Sequence, residues 1–218
     1  MKKIIIVGAG GFGRELYSWI SDCKEIREKY MIKGFIDDNK NTLNNYRKYS
    51  DIPIIGSIKD YIPSEDELFA IGLGLPKVKF KLVNILRSRG AEFISIIHPT
   101  AVIGKNTSIG KGSIICPGVV IACDITIGEF VTINVNSTVG HDVSIGDFTT
   151  LSGHCDVTGF AKLEMGVFMG THASVLPGIT VGEFSTIGAG SVVIKDIESN
   201  VTSFGNPAKI IKKNNIGE

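Results

Sequence analysis

The stretch from residue 103 to residue 144 reads IGKNTS IGKGSI ICPGVV IACDIT IGEFVT INVNST VGHDVS when it is written in blocks of six. Each block starts with Ile or Val, and this spacing of apolar residues continues as far as Val193. A period of six fits neither an α-helix nor an alternating strand. It is typical of a chain that turns a corner every six residues, so that three faces close one coil of about 18 residues. The sequence therefore predicts a parallel β-helix of hexapeptide repeats.

One aliphatic side chain per block is expected to point into the coil. These positions are Ile103, Ile109, Ile115, Ile121, Ile127, Ile133, Val139, Ile145, Leu151, Val157, Leu163, Met169, Val175, Val181, Ile187 and Val193.

Composition excludes several classes of protein. The 218 residues carry 23 basic and 22 acidic side chains, and a net charge of +1 gives no general attraction to nucleic acid or to an anionic membrane. No apolar run reaches the roughly 18 residues of a spanning helix, and the first residues are better explained as a strand than as a signal peptide. The four cysteines lack CxxC spacing, which favours reduced thiols in a cytoplasmic protein.

The first part of the chain follows a different pattern. Strands are expected at 3–7, 32–36, 68–71 and 93–97, helices at 16–23 and 78–86, and a loop at 39–49. Strands that alternate with helices predict a small Rossmann-like parallel sheet. We therefore expect an α/β domain over 1–95 and a β-helix domain over 96–218, the latter ending in a C-terminal cap.

A glycine-rich turn is the first candidate site. Gly8, Gly10 and Gly13 form a G-x-G-x-x-G pattern between the first strand and the first helix, and Asp37 and Asp38 end the next strand. Backbone N–H groups at a helix N-terminus suit a phosphate, and an acidic side chain there can bind a ribose or a base. The domain is too short for a full dinucleotide fold, so a single nucleotide is expected. The alternative is a tight turn without a ligand.

Histidines form the second candidate site. His141 comes two residues after the inward Val139, so its side chain should project from the coil, and Asp142 follows it. His154 and His172 are separated by one full coil of the repeat and should stack in adjacent coils. The alternative for each is an ordinary surface histidine. Because His141 is out of line with the stacked pair, no metal site is expected.

Several motifs together carry a resemblance to a known family. They are the GAGGFGRE turn at 8–15, the Asp37-Asp38 pair, Ala70-Ile71-Gly72, the His141-Asp142 pair, the unbroken hexapeptides and the closing Gly205-Asn206-Pro207-Ala208-Lys209. The chain resembles the bacterial sialic-acid O-acetyltransferase-like sugar acetyltransferases, and in particular the N-acetyltransferases of nucleotide-linked amino sugars. The resemblance implies a left-handed β-helix, a homotrimer, acetyl-CoA in the groove between neighbouring prisms, and a nucleotide-sugar on the N-terminal domain.

The resemblance also implies roles for individual residues. His141 would be the general base, and Asp142 would raise its basicity. Gly159 would offer its backbone N–H to the thioester oxygen, while Thr150 stands where some relatives carry a second histidine. The groove for acetyl-CoA would also be lined by Thr171 and Ala189. The nucleotide-sugar would contact Gly10, Gly11, Phe12, Asp37, Asp38 and Gly72.

The function that the resemblance implies is acetyl transfer from CoA to the amine of a nucleotide-linked amino sugar, in the synthesis of a surface glycan such as lipopolysaccharide O-antigen. Two alternatives stay open on the sequence. One is O-acetylation of a sialic acid or a related hydroxyl, which would use the same base. The other is a scaffold that binds a nucleotide-sugar without catalysis. Neither nucleic acid nor membrane insertion is expected.

Overall fold

The first domain is a five-stranded parallel sheet. The computed structural model describes residues 1–46, 49 and 51–214. The strand order is β3-β2-β1-β4-β5. These strands are β1 (Lys2–Val7), β2 (Tyr30–Ile36), β3 (Ile54–Gly56), β4 (Glu67–Ile71) and β5 (Glu92–Phe93). The helices are α1 (Gly11–Asp22), α2 (Lys24–Lys29) and α3 (Pro76–Ser88).

Burial explains why these segments form the sheet. Residues 4–7 of the central strand β1 are fully buried, as expected for a parallel strand that is covered on both faces. The α1 helix buries Leu16 and Ile20 against the sheet, and α3 starts at Pro76 and is followed by Gly90 with φ +87°. None of the helices in the described part of the chain has both the length and the apolar character needed to cross a bilayer.

The rest of the chain winds into the predicted left-handed parallel β-helix. Each strand pairs with the strand at the same position in the next coil, so that Ile121 pairs with Val139 and Val139 with Val157. Three sheets result, one on each face of a prism. Face 1 consists of β7 (Val102–Ile103), β10 (Val120–Ile121), β13 (Thr138–Val139), β16 (Asp156–Val157), β19 (Ser174–Val175) and β22 (Val192–Val193). Face 2 consists of β8 (Ser108–Ile109), β11 (Thr126–Ile127), β14 (Ser144–Ile145), β17 (Lys162–Leu163) and β20 (Thr180–Val181). Face 3 consists of β6 (Ile96–Ile97), β9 (Ile114–Ile115), β12 (Thr132–Ile133), β15 (Thr150–Leu151), β18 (Phe168–Met169) and β21 (Thr186–Ile187), followed by β23 (Val201–Phe204) and β24 (Lys209–Lys213).

The inward aliphatic side chains form the core of the prism. From Ile115 to Val193 all of them are buried. The first two inward residues are less buried: Ile103 is 37% exposed and Ile109 is half-buried. Both lie in the first coil, which has no coil before it to cover its open end.

The corners of the prism lie along three edges, and most corners carry a residue with positive φ. Edge 1 holds Asn106, Asp124, Asp142, Phe160 and Gly178. Edge 2 holds Gly112, Phe130, Phe148, Gly166 and Phe184. Edge 3 holds Gly118, Asn136, His154, His172 and Gly190. Along the chain, edge 1 joins face 1 to face 2, edge 2 joins face 2 to face 3, and edge 3 leads back to face 1. Edge 1 therefore lies opposite face 3.

The first domain packs on edge 2 and face 3. Phe80 of α3 makes edge-on contacts with Phe148 and Phe184, with ring centroids 5.2 and 6.2 Å apart. Phe93 packs edge-on against Phe130 at 4.9 Å. Such aromatic pairs stabilise a contact by about 0.5–1.5 kcal/mol beyond their buried area. One edge and one face of the prism are thus covered, while edge 1 stays open.

The single strand predicted at 93–97 is wrong. The structure has two short strands there, since β5 pairs with β4 of the first sheet and β6 pairs with β9 of the prism. The chain passes from the first sheet to the prism at Ile94 and Ser95, because β5 and β6 pair with strands of different domains. Two further elements were not predicted, namely α2 and β3.

A hairpin closes the far end of the prism. The strand β23 continues face 3 by pairing with β21, and β24 pairs with β23 in the antiparallel sense. The last predicted residues of the cap, 215–218, lie outside the described residues.

Candidate active site

Three glycines allow the close packing of the glycine-rich turn. Gly8 has φ +93°, a conformation that side chains disfavour. A Cβ on Gly13 would lie 1.9 Å from the Gly8 carbonyl oxygen, and one on Gly72 would lie 2.7 Å from the Gly13 Cα. Gly72 is buried and packs under the turn, and its contact with a nucleotide-sugar stays a prediction.

The other two glycines of the turn face open space. A Cβ on Gly10 or on Gly11 would meet no atom within 4 Å. Gly10 is the N-cap of α1 and no side chain caps that end of the helix. Phe12 follows and packs edge-on against Trp19 at 5.9 Å. The turn therefore offers a helix N-terminus and room above it, which is what an anionic ligand needs.

The two aspartates lie beside the turn, at the end of β2. Asp37 accepts hydrogen bonds from the backbone N–H groups of Ala9 and Asn39, each at 2.8 Å, and so ties the turn to the strand. Asp38 accepts from Ser57 Oγ at 2.6 Å and from the Lys59 N–H at 3.2 Å. Burial alone would raise the pKa of Asp38, but these hydrogen bonds and the Lys59 charge hold it below its ordinary value.

His141 lies on edge 1 and points outward. Its side chain is 56% exposed, and Nδ1 is 2.8 Å from Asp142 Oδ2. A carboxylate only accepts, so Nδ1 donates and Nε2 is left with a free lone pair in the neutral ring. The ring is packed edge-on against Phe160 at 5.0 Å. The pair can therefore take up a proton at Nε2.

Gly159 lies directly above the imidazole. A Cβ at this position would be 2.8 Å from His141 Cε1 and Nε2, so only glycine leaves room for the ring as it stands. The Gly159 carbonyl accepts from the Gly178 N–H at 3.0 Å. No acceptor for the Gly159 N–H is found in the part of the chain that the structure describes. This N–H is free to donate to a ligand beside Nε2.

The remaining predicted groove residues do not join His141 within one chain. Thr171 and Ala189 lie on edge 3, next to His154 and His172. The two imidazoles are stacked as the sequence predicted, with centroids 4.8 Å apart and an interplanar angle of 8°. Face 1 separates this edge from His141 on edge 1.

Thr150, another predicted groove residue, is buried in this chain. It lies on face 3 and is only 4% exposed, and its hydroxyl is buried without a hydrogen-bond partner among the described residues. Its neighbour Thr132 in the adjacent strand receives a hydrogen bond from Lys79 of α3. Its contact with a thioester stays a prediction.

Sequence reasoning missed two residues of edge 1. Phe160 occupies the corner one coil after Asp142, and Asp124 occupies the corner one coil before it. Applying the coil period outward, and not only to the inward residues, would have placed both beside the His141-Asp142 pair. No group of three or more His, Cys, Asp or Glu side chains in the described ranges is arranged to hold a metal ion.

Comparison with known proteins identifies the first domain. Residues 3–86 match the family described as the PglD N-terminal domain. The match spans most of the first domain. The family resemblance predicted from the sequence is therefore confirmed, and so is the fold class of a small Rossmann-like parallel sheet followed by a left-handed parallel β-helix.

Solved structures extend the likeness over nearly the whole chain. WeeI from Acinetobacter baumannii AYE is 29% identical, with a TM-score of 0.84, and the match covers 97% of this chain and 100% of WeeI. PerB from Caulobacter crescentus, solved with CoA and GDP-perosamine, is 26% identical with a TM-score of 0.85, covering 97% of this chain and 98% of PerB.

Curated relatives match over a shorter stretch. Staphylococcus aureus proteins that carry only the general and provisional name of acetyltransferase are 44% identical over 68 residues, which is 29% of this chain. The match spans about a third of their length, 34%. Together with the CoA-bound neighbours, these names support the acyltransferase class and the coenzyme A co-substrate expected from the sequence.

Proposed function

We propose that the protein transfers an acetyl group from acetyl-CoA to the amine of a nucleotide-linked amino sugar. The observation that carries this proposal is the exposed His141, which turns Nδ1 to Asp142 and leaves Nε2 free next to Gly159. A neighbour of the same fold over nearly its whole length is described with CoA and GDP-perosamine. We further propose that this reaction serves surface-glycan synthesis and takes place in the cytoplasm, where both substrates are made.

The chemistry follows from the two groups on edge 1. His141 Nε2 accepts the proton that the acceptor amine loses as its nitrogen attacks the thioester carbonyl carbon. The Gly159 N–H donates to the carbonyl oxygen as negative charge develops there, and one such donor is typically worth about 3 kcal/mol. When the C–S bond breaks, the imidazolium returns the proton to the leaving sulfur, which gives an amide and free CoA. Asp142 stabilises the imidazolium in between.

The PglD-type domain would hold the acceptor. Its open Gly10 and Gly11 and the uncapped start of α1 suit the pyrophosphate, and the acidic end of β2 suits the nucleoside. Orientation of the two substrates supplies much of the remaining rate.

Exposed apolar side chains support assembly into a homotrimer. Val102 and Val120 on face 1 are 60% and 44% exposed, and Phe160 on edge 1 is 62% exposed. Leu176 and Ile194, which directly follow face 1 strands, are also exposed. A patch of this kind marks an interface, and here a second copy would bring its own edge or domain to His141.

Thiol release tests the function directly. The protein and acetyl-CoA are mixed in a series of reactions. Each reaction contains a nucleotide-linked amino sugar, sialic acid or no acceptor. We expect free CoA thiol only with an amino sugar. Release with sialic acid would favour O-acetylation, and no release with any acceptor would favour a binding scaffold.

A substitution of the base tests its role. His141→Gln should lower turnover by at least about 10²-fold, the usual scale for a lost general base. Its thermal midpoint and its oligomeric size should stay native, because the side chain is more than half exposed. Near-native turnover in a correctly assembled variant would remove His141 from this role.

A further inference from the structure

A second carboxylate lies directly below the His141-Asp142 pair on edge 1. Asp124 occupies the same corner one coil before Asp142, and the two have φ +61° and +58°. The Asp142 N–H donates to the Cys123 carbonyl at 3.3 Å, so the upper corner is fixed on the lower one. Successive coils are separated by about 4.8 Å, which keeps the two corners adjacent.

Contacts on edge 1 hold Asp124 in its ionised form. Asn106, one coil lower, donates its Nδ2 to Asp124 Oδ1 at 3.0 Å. The hydrogen bonds from Asn106 and Cys123, together with the charge of His141 when protonated, lower the pKa of Asp124. The hydrogen bond to Asp124 raises the pKa of Cys123, so this thiol stays protonated and does not act as a nucleophile.

The charged groups on the His141 corner and on the corner below it are two carboxylates, and the Cys123 thiol is neutral. Asp142 lies on its own corner, and Cys123 and Asp124 lie on the corner below. The corner above holds Gly159 and Phe160, which have no titratable side chain. Neither of the two carboxylates has a lysine or arginine ion-pair partner among the described residues.

Resting on the proposed function, we propose that Asp124 is a positioning residue of the acetyl transfer. Its carboxylate stabilises the imidazolium that forms when His141 takes the proton of the acceptor amine. It acts through the imidazole, and it adds to the effect of Asp142 without contacting the reacting atoms.

The pH profile of kcat/KM tests this role. Asp124→Asn keeps the shape and tolerates positive φ, but it removes one anion. A protonated imidazole is then less stable, so the acid limb of kcat/KM should move to lower pH. Asp124→Glu keeps the negative charge and should therefore keep the native pH profile. Asp66→Asn makes the same change in net charge at an exposed site of the first domain and should leave the limb in place.

A purely structural role for Asp124 would lower the rate at every pH without moving the limb, and that result would overturn the proposal. A second measurement does not depend on activity. Coupling between two titrating groups is reciprocal, so the Asp124 carboxyl, followed by ¹³C NMR and assigned by its loss in Asp124→Asn, should titrate at higher pH in His141→Gln than in the native protein. Equal titration in both would refute the coupling. Failure of the native protein to acetylate any amino sugar would instead refute the proposed function.

Discussion

Two glycines of the same turn should respond in opposite ways to one added methyl group. Gly13→Ala places a Cβ 1.9 Å from the Gly8 carbonyl oxygen, so the backbone has to move, at a cost of about 1–3 kcal/mol or more. Gly11→Ala meets no atom within 4 Å, and alanine favours a helix over glycine. We expect a lower thermal midpoint for the first variant and an unchanged or slightly higher one for the second.

Ligand binding separates the two effects. If phosphates approach the start of α1, the methyl group of Gly11→Ala should weaken binding of the nucleotide-sugar about 10-fold or more while the fold stays intact, since the ligand needs the backbone itself. Calorimetric titration gives this value. Native affinity in Gly11→Ala would mean that the phosphates bind elsewhere.

The period of six was enough to predict whether a side chain on the prism points inward or outward. The period fixes which side chains point inward, and from this the outward direction of His141 and the stacking of His154 on His172 follow. The period contains no information about what covers an outward residue. Thr150 precedes the inward Leu151 and is nevertheless buried, on the face where Lys79 of the first domain contacts Thr132 and Thr149.

At the level of secondary structure, the long repeat was predictable and the short elements were not. Sixteen inward positions support one another, whereas β3 has three residues and α2 has six. Elements of this length depend on tertiary contacts more than on local pattern. The division of 93–97 into β5 and β6 likewise depends on two different partner strands, which no local signal in the sequence records.

Helix α3 carries a buried lysine that joins the two domains. Lys79 is fully buried, and its Nζ donates to the Phe130 carbonyl at 2.8 Å, to Thr132 Oγ1 at 3.1 Å and to the Thr149 carbonyl at 3.2 Å. Lys79→Ala should lower the free energy of unfolding by about 2–5 kcal/mol, because it leaves a cavity and unpaired acceptors. Lys79→Met fills the volume and should cost less. Denaturant unfolding gives both values.

The dependence on pH provides a further check of this interdomain contact. Burial lowers the pKa of Lys79 well below its ordinary value, so the unfolded chain binds the proton more tightly than the folded one. Stability of the native protein should therefore rise with pH between the lowered pKa and the ordinary one. Lys79→Met should lack this part of the slope, and equal slopes in the two proteins would contradict the expectation.

Within one copy of the protein, the two halves of the proposed site, the glycine-rich turn and His141, lie on different sides of the prism. The PglD-type domain packs on edge 2 and face 3 through α3 and β5, and His141 lies on edge 1, which is opposite face 3. Within the described residues no hydrogen bond, ion pair or ring contact links the glycine-rich turn to edge 1. We therefore propose that a reaction using both takes place between His141 of one copy and the turn of another.

Mixed assemblies test this arrangement. Gly11→Trp fills the open space at the turn and should be inactive, as should His141→Gln. When equal amounts of the two inactive variants are refolded together, an interface is complete only where the intact turn of one variant meets the intact histidine of the other. Random mixing predicts that about a quarter of the sites are complete, and thiol release should recover to that level. A site within one chain predicts no recovery, since every chain in the mixture then lacks one half of it.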